Sequence, residues 1–296
     1  MKRLKHKKIN YNELAFYLFT IPALILYTCF FIFPVITGIY YSMTDWNGMN
    51  RTYNFVGLKN FINIFHDMSF KNAINFNIKY SIMLVLGINA ISLALAMLLN
   101  TKIKCKTLFR SIYFFPAVLS LITVGLIWNE IYYQVLPFIG NKLGIGFLSK
   151  NILSSGKTAI YGILITNLWQ GVAVPTILFI AALQSIPADL YEAATLDGAS
   201  SFQQFRYITI RFLIPILNIN FLLTLKSGLM IFDYIVALTD GGPGGATESI
   251  GILMYNHAFG DMKFSQSIAE SIFIFFIIAA VSIIQFKVQN KMEVSD

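Results

Sequence analysis

The sequence predicts an all-α polytopic membrane protein with six transmembrane helices. Of its 296 residues, 56% are hydrophobic and only 12% are charged, and the mean hydropathy is +0.66. This composition excludes a soluble two-domain protein. The chain contains six long apolar runs, and ~20 residues of this kind suffice to cross a bilayer. Because backbone groups in lipid must be paired within the segment, these runs are predicted to be helices.

The first predicted span begins at Leu14, after a basic segment over residues 1–13, and continues to Tyr41. It lacks the short apolar core and the small-residue cleavage site of a signal peptide. Pro22 and Pro34 are expected to bend it or mark its ends. Residues 14–43 therefore form the first span and the start of an outer loop, residues 76–290 a five-span core, and residues 291–296 a tail. The five later spans are predicted at Phe76–Leu99, Leu108–Trp128, Ala159–Leu183, Phe212–Leu238 and Ser267–Phe286.

Basic residues predict how the spans are oriented. The N-terminal segment, the 101–110 turn, the 186–211 stretch and the C-terminus hold thirteen of them, and the opposite loops hold seven. Since loops rich in lysine and arginine stay in the cytoplasm, both termini and Cys105 are predicted to be cytoplasmic. The basic residues cluster at the ends of apolar runs, so we predict contact with the lipid bilayer and no nucleic-acid binding.

The cysteines and histidines predict neither a disulfide nor a metal site. Cys29 lies inside an apolar run, whereas Cys105 lies in a lysine-rich turn. The three histidines are scattered over separate loops or tails, without metal-ligand spacing.

A polar stretch over residues 186–211 interrupts the apolar runs. Pro187 suits a first helical turn, and Gly198 is a natural helix stop. Ser200 and Gln203 match a capping box, which predicts a second short helix. The pattern indicates a helix–glycine–helix on a membrane surface. Two small residues beside the acidic Glu192 would let another protein's backbone approach closely.

The succession Glu192-Ala193-Ala194, Asp197-Gly198-Ala199 and the later Pro215 resembles the EAA loop of permease subunits of ABC importers. The resemblance is to the binding-protein-dependent, carbohydrate type, the family of maltose and glycerol-phosphate inner-membrane components. Arg211 stands where that family often has proline. An ordinary amphipathic surface helix is the alternative interpretation.

The resemblance implies a type I permease fold in which this stretch is a cytoplasmic helix–turn–helix that docks into a groove on the ATPase. The residues that would couple to the ATPase are Glu192, Ala193, Ala194, Asp197, Gly198 and Ala199. It also implies a second permease subunit in a heterodimer, an ABC ATPase dimer and an extracellular solute-binding protein, in a bacterial cell membrane. The chain has no Walker A motif, so ATP would be used by the ATPase subunits, and no cofactor is expected in this chain.

Two outer loops carry the assignment to sugars, because they resemble segments of carbohydrate-type permeases. They are residues 44–61 and residues 238–248. The glycine cluster in the second loop is followed by no Lys-Ser or Lys-Thr and preceded by no predicted strand. We therefore interpret it as a specialised turn and not as a phosphate-binding loop.

Polar side chains within the predicted spans mark a candidate solute pathway, because such groups are costly in lipid. They are Asn167, Trp169, Gln170, Lys226, Asp233 and Glu270. Lys226 is predicted midway along the fifth span, with Asp233 seven residues later on the same helical face. The functional interpretation is a wall suited to hydroxyl-rich solutes. The alternative is a structural ion pair of Lys226 with Asp233 or Glu270.

The sequence thus predicts the transmembrane subunit of a sugar or oligosaccharide importer that performs no chemistry itself. Another polar solute, such as a glycerol phosphate, is an alternative. A polytopic membrane enzyme would need a carboxylate pair or metal cluster near one interface, and the external acids are isolated. A homo-oligomeric channel would not need the docking stretch.

Overall fold

The computed structural model describes residues 11–101 and 106–293, and the surroundings of side chains at 17–101 and 108–287. Across these ranges the secondary structure is helical, apart from one isolated bridge between Thr44 and Phe55. The predicted basic N-terminus up to Asn10, the predicted position of Cys105 and the last three residues of the tail lie outside the described residues.

Within residues 11–101 and 106–293, four helices are long and apolar enough to cross a bilayer. They are Tyr17–Ser42, Met68–Asn100, Ser201–Leu229 and Phe264–Lys287. Two further candidates are bent pairs: Leu108–Val118 with Leu121–Leu143, at 101°, and Ala159–Gly171 with Ala173–Gln184, at 46°. The count is six if each bent pair is one crossing. The chain is therefore an all-helical polytopic membrane protein, as predicted.

The chain divides into two compact units, the first of which contains residues up to Ile64 together with His257–Ile272. Its first span consists of α1 (Tyr11–Tyr27), a π-helical turn (Thr28–Ile32) and α2 (Phe33–Ser42). Pro22 lies inside α1 and Pro34 in the first turn of α2, so neither proline ends the span. Ser42 is the only buried side chain from Tyr17 to the end of α2.

The loop after α2 is held by hydrogen bonds within the first unit. Asp45 accepts hydrogen bonds from the backbone and the side-chain amide of Asn54, which lower the pKa of its carboxyl group. Trp46 stacks on Tyr41, with ring centroids 4.4 Å apart. This loop is therefore an ordered surface and not a passive link.

The second unit contains Phe65–Asn256 and the chain from Phe273 onward. The helix α3 (Lys59–His66) crosses the boundary before it, and α15 (Phe264–Glu293) crosses the later one. The helices between are α4 (Met68–Asn100), α5 (Lys106–Phe114), α6 (Leu121–Glu130), α7 (Leu136–Leu143), α8 (Ala159–Gly171), α9 (Ala173–Gln184), α10 (Ala188–Leu196), α11 (Ser201–Gln204), α12 (Ile210–Leu229), α13 (Asp233–Leu238) and α14 (Ile250–Tyr255).

Two buried apolar clusters hold the second unit together. The first joins α4, α6, α8 and α13 through residues such as Leu84, Ile163 and Ile235. The second joins α4, α9 and α12 through Phe179 and Leu213, both fully buried. The second cluster extends to the 186–211 stretch, through the buried Ile186. The beginning of this stretch is therefore packed against α4, α9 and α12.

The third, fourth and fifth predicted spans are not single straight helices. The fourth bends by 46° at Val172, between α8 and α9. The third breaks at Leu119 and Ser120, after a 3₁₀ turn that contains Pro116, which cannot continue a regular helix. The fifth begins earlier, at Ser201, and α12 ends at Leu229. A new helix, α13, starts at Asp233. Residues 226 and 233 therefore belong to different helices and do not share one helical face.

Candidate functional site

The 186–211 stretch, here called the coupling loop, consists of α10, a glycine turn and α11. Pro187 is the N-cap residue, one position before its predicted place. Gly198 has a φ of +78°, as a left-handed helix stop requires. The amide of Ala199 donates to the Ala194 carbonyl (2.9 Å) and that of Gly198 to the Thr195 carbonyl (3.1 Å). These two bonds form a Schellman motif, which satisfies carbonyls that the helix end leaves unpaired.

The second half of the coupling loop is fixed by the predicted capping box. The backbone amide of Gln203 donates to Ser200 Oγ (3.4 Å), and the backbone amide of Ser200 donates to Gln203 Oε1 (2.7 Å). The helix that starts here is not short, because a π-helical turn at Phe205–Thr209 connects α11 directly to α12. Tyr191 and Thr209 join their hydroxyl groups at 2.8 Å. This bond ties α10 to the beginning of the membrane helix.

Most of the predicted coupling residues lie on the surface. Glu192, Ala193, Asp197 and Gly198 are exposed, while Ala194 and Ala199 are half-buried.

Three large side chains with apolar surface on the same loop were not predicted to be functional. Leu196 is 89% exposed, Phe202 73% and Tyr207 64%. In the sequence, these residues could have been noticed as large side chains within an otherwise polar stretch. Exposed apolar patches of this kind mark interaction sites. The coupling loop therefore offers three exposed acids (Asp189, Glu192 and Asp197), small residues and apolar anchors to a partner.

A polar cavity of about 350 Å³ brings together three of the predicted pathway residues, Asn167, Lys226 and Asp233. Ser227 also lines it, and the remaining walls come from Leu121 at the start of α6 and from residues of α12, α13 and the break between them. Among the residues described, no ion pair joins Lys226 to Asp233, so that version of the structural alternative is not supported. An ammonium group, a carboxylate and a hydroxyl can donate to and accept from solute hydroxyl groups.

Asn167 and Gln170 also form hydrogen bonds that link α8 to the elements around the cavity. The Asn167 side-chain amide donates to the Tyr80 hydroxyl group (2.7 Å). Gln170 donates to the Leu119 carbonyl (2.8 Å) at the break before α6, and it accepts from the Tyr234 hydroxyl group (2.6 Å). Gln170 is buried and does not line the cavity. Its role in the structure is to link α8 to the break before α6 and to α13.

Trp169 and Glu270 have other surroundings. Trp169 contacts Trp128 edge to face, with centroids 5.8 Å apart, and lines a separate apolar cavity of about 530 Å³. It lies one and two positions from Gln170 and Asn167, and such neighbours point to different sides of a helix. Glu270 belongs to the first unit, where its Oε1 lies 2.8 Å from Nδ1 of His257, and both side chains are buried.

The residues that shape the break between α12 and α13 were not predicted. Asn77 is fully buried in α4. Its amide donates to the Leu229 carbonyl (2.7 Å), and its oxygen accepts from the Ile250 amide (3.0 Å). Ser249 donates to the Ile231 carbonyl (2.8 Å). A broken helix inside a membrane requires such partners for its freed backbone groups.

The far end of α13 is satisfied in the same way. The side chain of Asn129 donates to the carbonyls of Ala237 (3.1 Å) and Leu238 (3.2 Å). Gly125 allows the close approach, because a Cβ atom there would clash with that of Ala237. Asn77 of α4 thus pairs the end of α12 before the break, and Asn129 of α6 pairs the end of the six-residue α13.

Lys226→Met is expected to lower solute uptake about tenfold, the cost of losing one hydrogen bond from a charged group, ~1.5 kcal/mol. Assembly should be unaffected, because Lys226 is exposed and unpaired with Asp233. The matched control is Lys142→Met, which changes an exposed lysine outside the cavity. Uptake and subunit stoichiometry are the measurements. A variant that fails to assemble, and that Asp233→Asn rescues, would show the lysine to be structural.

Known proteins resemble this chain over nearly its whole length. Residues 88–294 match the family model described as the inner membrane component of binding-protein-dependent transport systems. The multiple sugar-binding transport system permease protein MsmF of Streptococcus mutans is 42% identical, covering 93% of this chain and 95% of that protein. The probable starch degradation products transport system permease protein AmyD of Thermoanaerobacterium thermosulfurigenes is 36% identical, covering 98% and 99%.

The fold also matches a solved structure. A chain of a bacterial ABC transporter for import of the acidic polysaccharide alginate superposes with a TM-score of 0.80 at 20% identity. The match covers 95% of this chain and 96% of that chain. A transport family, rather than an enzyme family, thus accounts for the spans, the loop and the cavity. The chain belongs to the inner-membrane permease components of binding-protein-dependent ABC transport systems.

Proposed function

We propose that this permease forms the translocation pathway for a sugar or oligosaccharide and couples it to ATP hydrolysis on separate subunits. The observation that carries the proposal is the exposed coupling loop, joined without a break to the helix that ends at the polar cavity. The names of the two permeases described above, for multiple sugars and for starch degradation products, support the substrate class.

The proposed coupling passes through α12. A displacement of α10 by the ATPase would reach Thr209 through the hydroxyl group of Tyr191. The continuous helix from Ser201 to Leu229 would carry it to the break beside the cavity. There, Lys226 and Asp233 lie on two separate helices, and the displacement would move one relative to the other. The cavity would therefore change shape while the coupling loop stays intact.

The proposed assembly contains a second permease, so that two different permeases form the pathway, together with a dimer of ATPases and an extracellular solute-binding protein. The exposed Leu196, Phe202 and Tyr207 support docking of the ATPase. The exposed side chains of the first span support a packing partner in the membrane. ATP would be held by the ATPases and not by this chain.

The test is reconstitution in proteoliposomes with the partner permease, the ATPase and the binding protein. We expect uptake of labelled oligosaccharides and ATP hydrolysis that increases with loaded binding protein. Glycerol 3-phosphate serves as the competing solute. Uptake of glycerol 3-phosphate without uptake of any sugar would replace the proposed substrate class, and absence of stimulated hydrolysis would contradict the coupling.

The proposed topology has both termini and the coupling loop in the cytoplasm. In a background without Cys29 and Cys105, we expect an impermeant thiol reagent on intact cells to label Lys150→Cys and not Ser201→Cys. Both positions are exposed, so reagent access is comparable in the two variants. In inverted vesicles the pattern should reverse. Labelling of Ser201→Cys from outside would contradict the orientation that the basic residues predict.

A further inference from the structure

A second polar cleft, of about 540 Å³, lies beside the glycine-rich loop over residues 238–248, here called the glycine loop. It shares no residue with the cavity at Lys226. Its side chains come from α4 and from the start of α8 with the segment before it. The polar members are Asn72, Asn75, Lys79, Lys157 and Tyr161. The backbone of Gly244 and Gly245 closes one side.

The glycine loop that forms this side is held in place. Gly156 contacts it closely, because a Cβ atom there would lie 2.7 Å from that of Ala246. Within the loop, the buried Thr247 donates to the Gly242 carbonyl (2.6 Å). Gly244 and Gly245 have φ angles of +60° and +77°, which side chains rarely adopt. The cleft is therefore built by fixed backbone and not by a loose loop.

The cleft is electropositive. It is lined by two lysines and by no acidic residue. In the described part of the chain, neither Lys79 nor Lys157 forms an ion pair. The amides of Asn72 and Asn75 add donors for an anionic oxygen. Charge and donors together favour a carboxylate or a similar anion.

The exposure of the walls decides what kind of anion fits. Asn72, Asn75 and both lysines are exposed. Sites for small ligands enclose 70–90% of the ligand, roughly, and this open cleft cannot do so. An acidic side chain that projects from another protein needs no such enclosure. The cleft also lies toward the Met68 end of α4, opposite the end that precedes the basic 101–110 turn.

We propose that this cleft receives acidic side chains of the solute-binding protein on the outer face, an inference that rests on the proposed function. Exposed complementary charges act mainly on the rate of encounter, and salt screens them. The cleft therefore steers the loaded binding protein to the permease, while the cavity at Lys226 contacts the solute itself.

The test uses the complete reconstituted transporter with Lys79→Gln and Lys157→Gln combined. Both side chains are exposed and glutamine stays polar, so assembly should be retained and is checked by subunit stoichiometry. At low salt, the concentration of loaded binding protein that gives half-maximal ATPase stimulation should rise about fivefold, as loss of two exposed ion pairs implies. The maximal rate should stay unchanged. At high salt, wild type and variant should converge.

Lys142→Gln is the matched control, since it removes an exposed lysine outside the cleft. An unchanged half-maximal concentration in the double variant at low salt would overturn the proposal, as would a fall in maximal rate alone. If loaded binding protein fails to stimulate even the wild type, the proposed function is contradicted and the cleft proposal with it. If loaded binding protein stimulates ATP hydrolysis by the wild type, and the double variant has the same half-maximal concentration, only the cleft proposal is contradicted.

Discussion

Gly198→Val should leave the spans inserted but abolish either ATPase attachment or the stimulation of hydrolysis by loaded binding protein. The glycine has a φ of +78°, and a Cβ atom there would meet nothing within 4 Å. The effect is therefore backbone strain and not a clash. A left-handed conformation costs ordinary residues ~1–2 kcal/mol, and β-branched residues more. Relief of that strain would break the two Schellman hydrogen bonds and turn α10 away from α11.

Gly198→Asn is the matched control, because asparagine tolerates the left-handed conformation. Each variant is purified with its partners, the bound ATPase is quantified, and hydrolysis is measured with and without loaded binding protein. Asparagine should retain most of the stimulation, and valine should lose it. Equal stimulation in both variants would show that the geometry of this turn does not matter for coupling.

Glu192→Lys addresses the same surface through charge. Glu192 is exposed on the face that the resemblance assigns to the ATPase. Reversal of its charge should repel a basic residue of the ATPase groove without altering the helix, because lysine is a good helix former. Loss of attachment in this variant, with the Schellman turn intact, would separate charge recognition from turn geometry. Wild-type attachment would contradict a role for this acid.

Asn77→Leu should abolish most uptake and lower the thermal unfolding midpoint of the purified complex. It leaves the Leu229 carbonyl and the Ile250 amide without the side chain that pairs both of them. Each buried group left unpaired costs ~1–3 kcal/mol. The break between α12 and α13 would then rearrange, and with it the cavity that holds Lys226 and Asp233.

Two further variants make this prediction specific. Asn77→Asp keeps the acceptor oxygen and loses the donor, so it should also fail. Asn89→Leu, on the same helix, removes only a bond from a side chain to the Val85 carbonyl of its own helix, and uptake should persist. Normal uptake by Asn77→Leu would show that the break does not depend on this side chain.

The coupling loop was predictable because its signals are local. The capping box of Ser200 and Gln203 and the left-handed Gly198 depend on neighbours a few residues away. A hydrophobic run of ~20 residues likewise predicts a membrane helix from its own composition. These features need no knowledge of how the helices pack.

The cavity was less predictable because its geometry depends on distant contacts. Residues 229–232 are apolar and contain neither proline nor glycine, so the only local signals of the end of α12 are Gly228 and Lys226 in its last turn, which also occur inside helices. The Leu229 carbonyl is paired by Asn77, 152 residues earlier in the chain. Trp169 lines a cavity other than the one at Lys226 for a related reason, since a helical position tells which residues share a face but not which face borders a given cavity.

The asparagine pairs at α13 also bear on biogenesis. Asn77 and Asn129 both precede, in the chain, the carbonyls to which they donate. Chains are synthesised from the N-terminus, and earlier segments fold first. When the break and the short α13 leave the ribosome, Asn77 and Asn129, which donate to carbonyls at the end of α12 and at the end of α13, are therefore already in the membrane. A segment of six residues, too short to insert alone, thus enters lipid beside side chains that can pair its backbone, and Ser249, which pairs the Ile231 carbonyl in the break, is added afterwards.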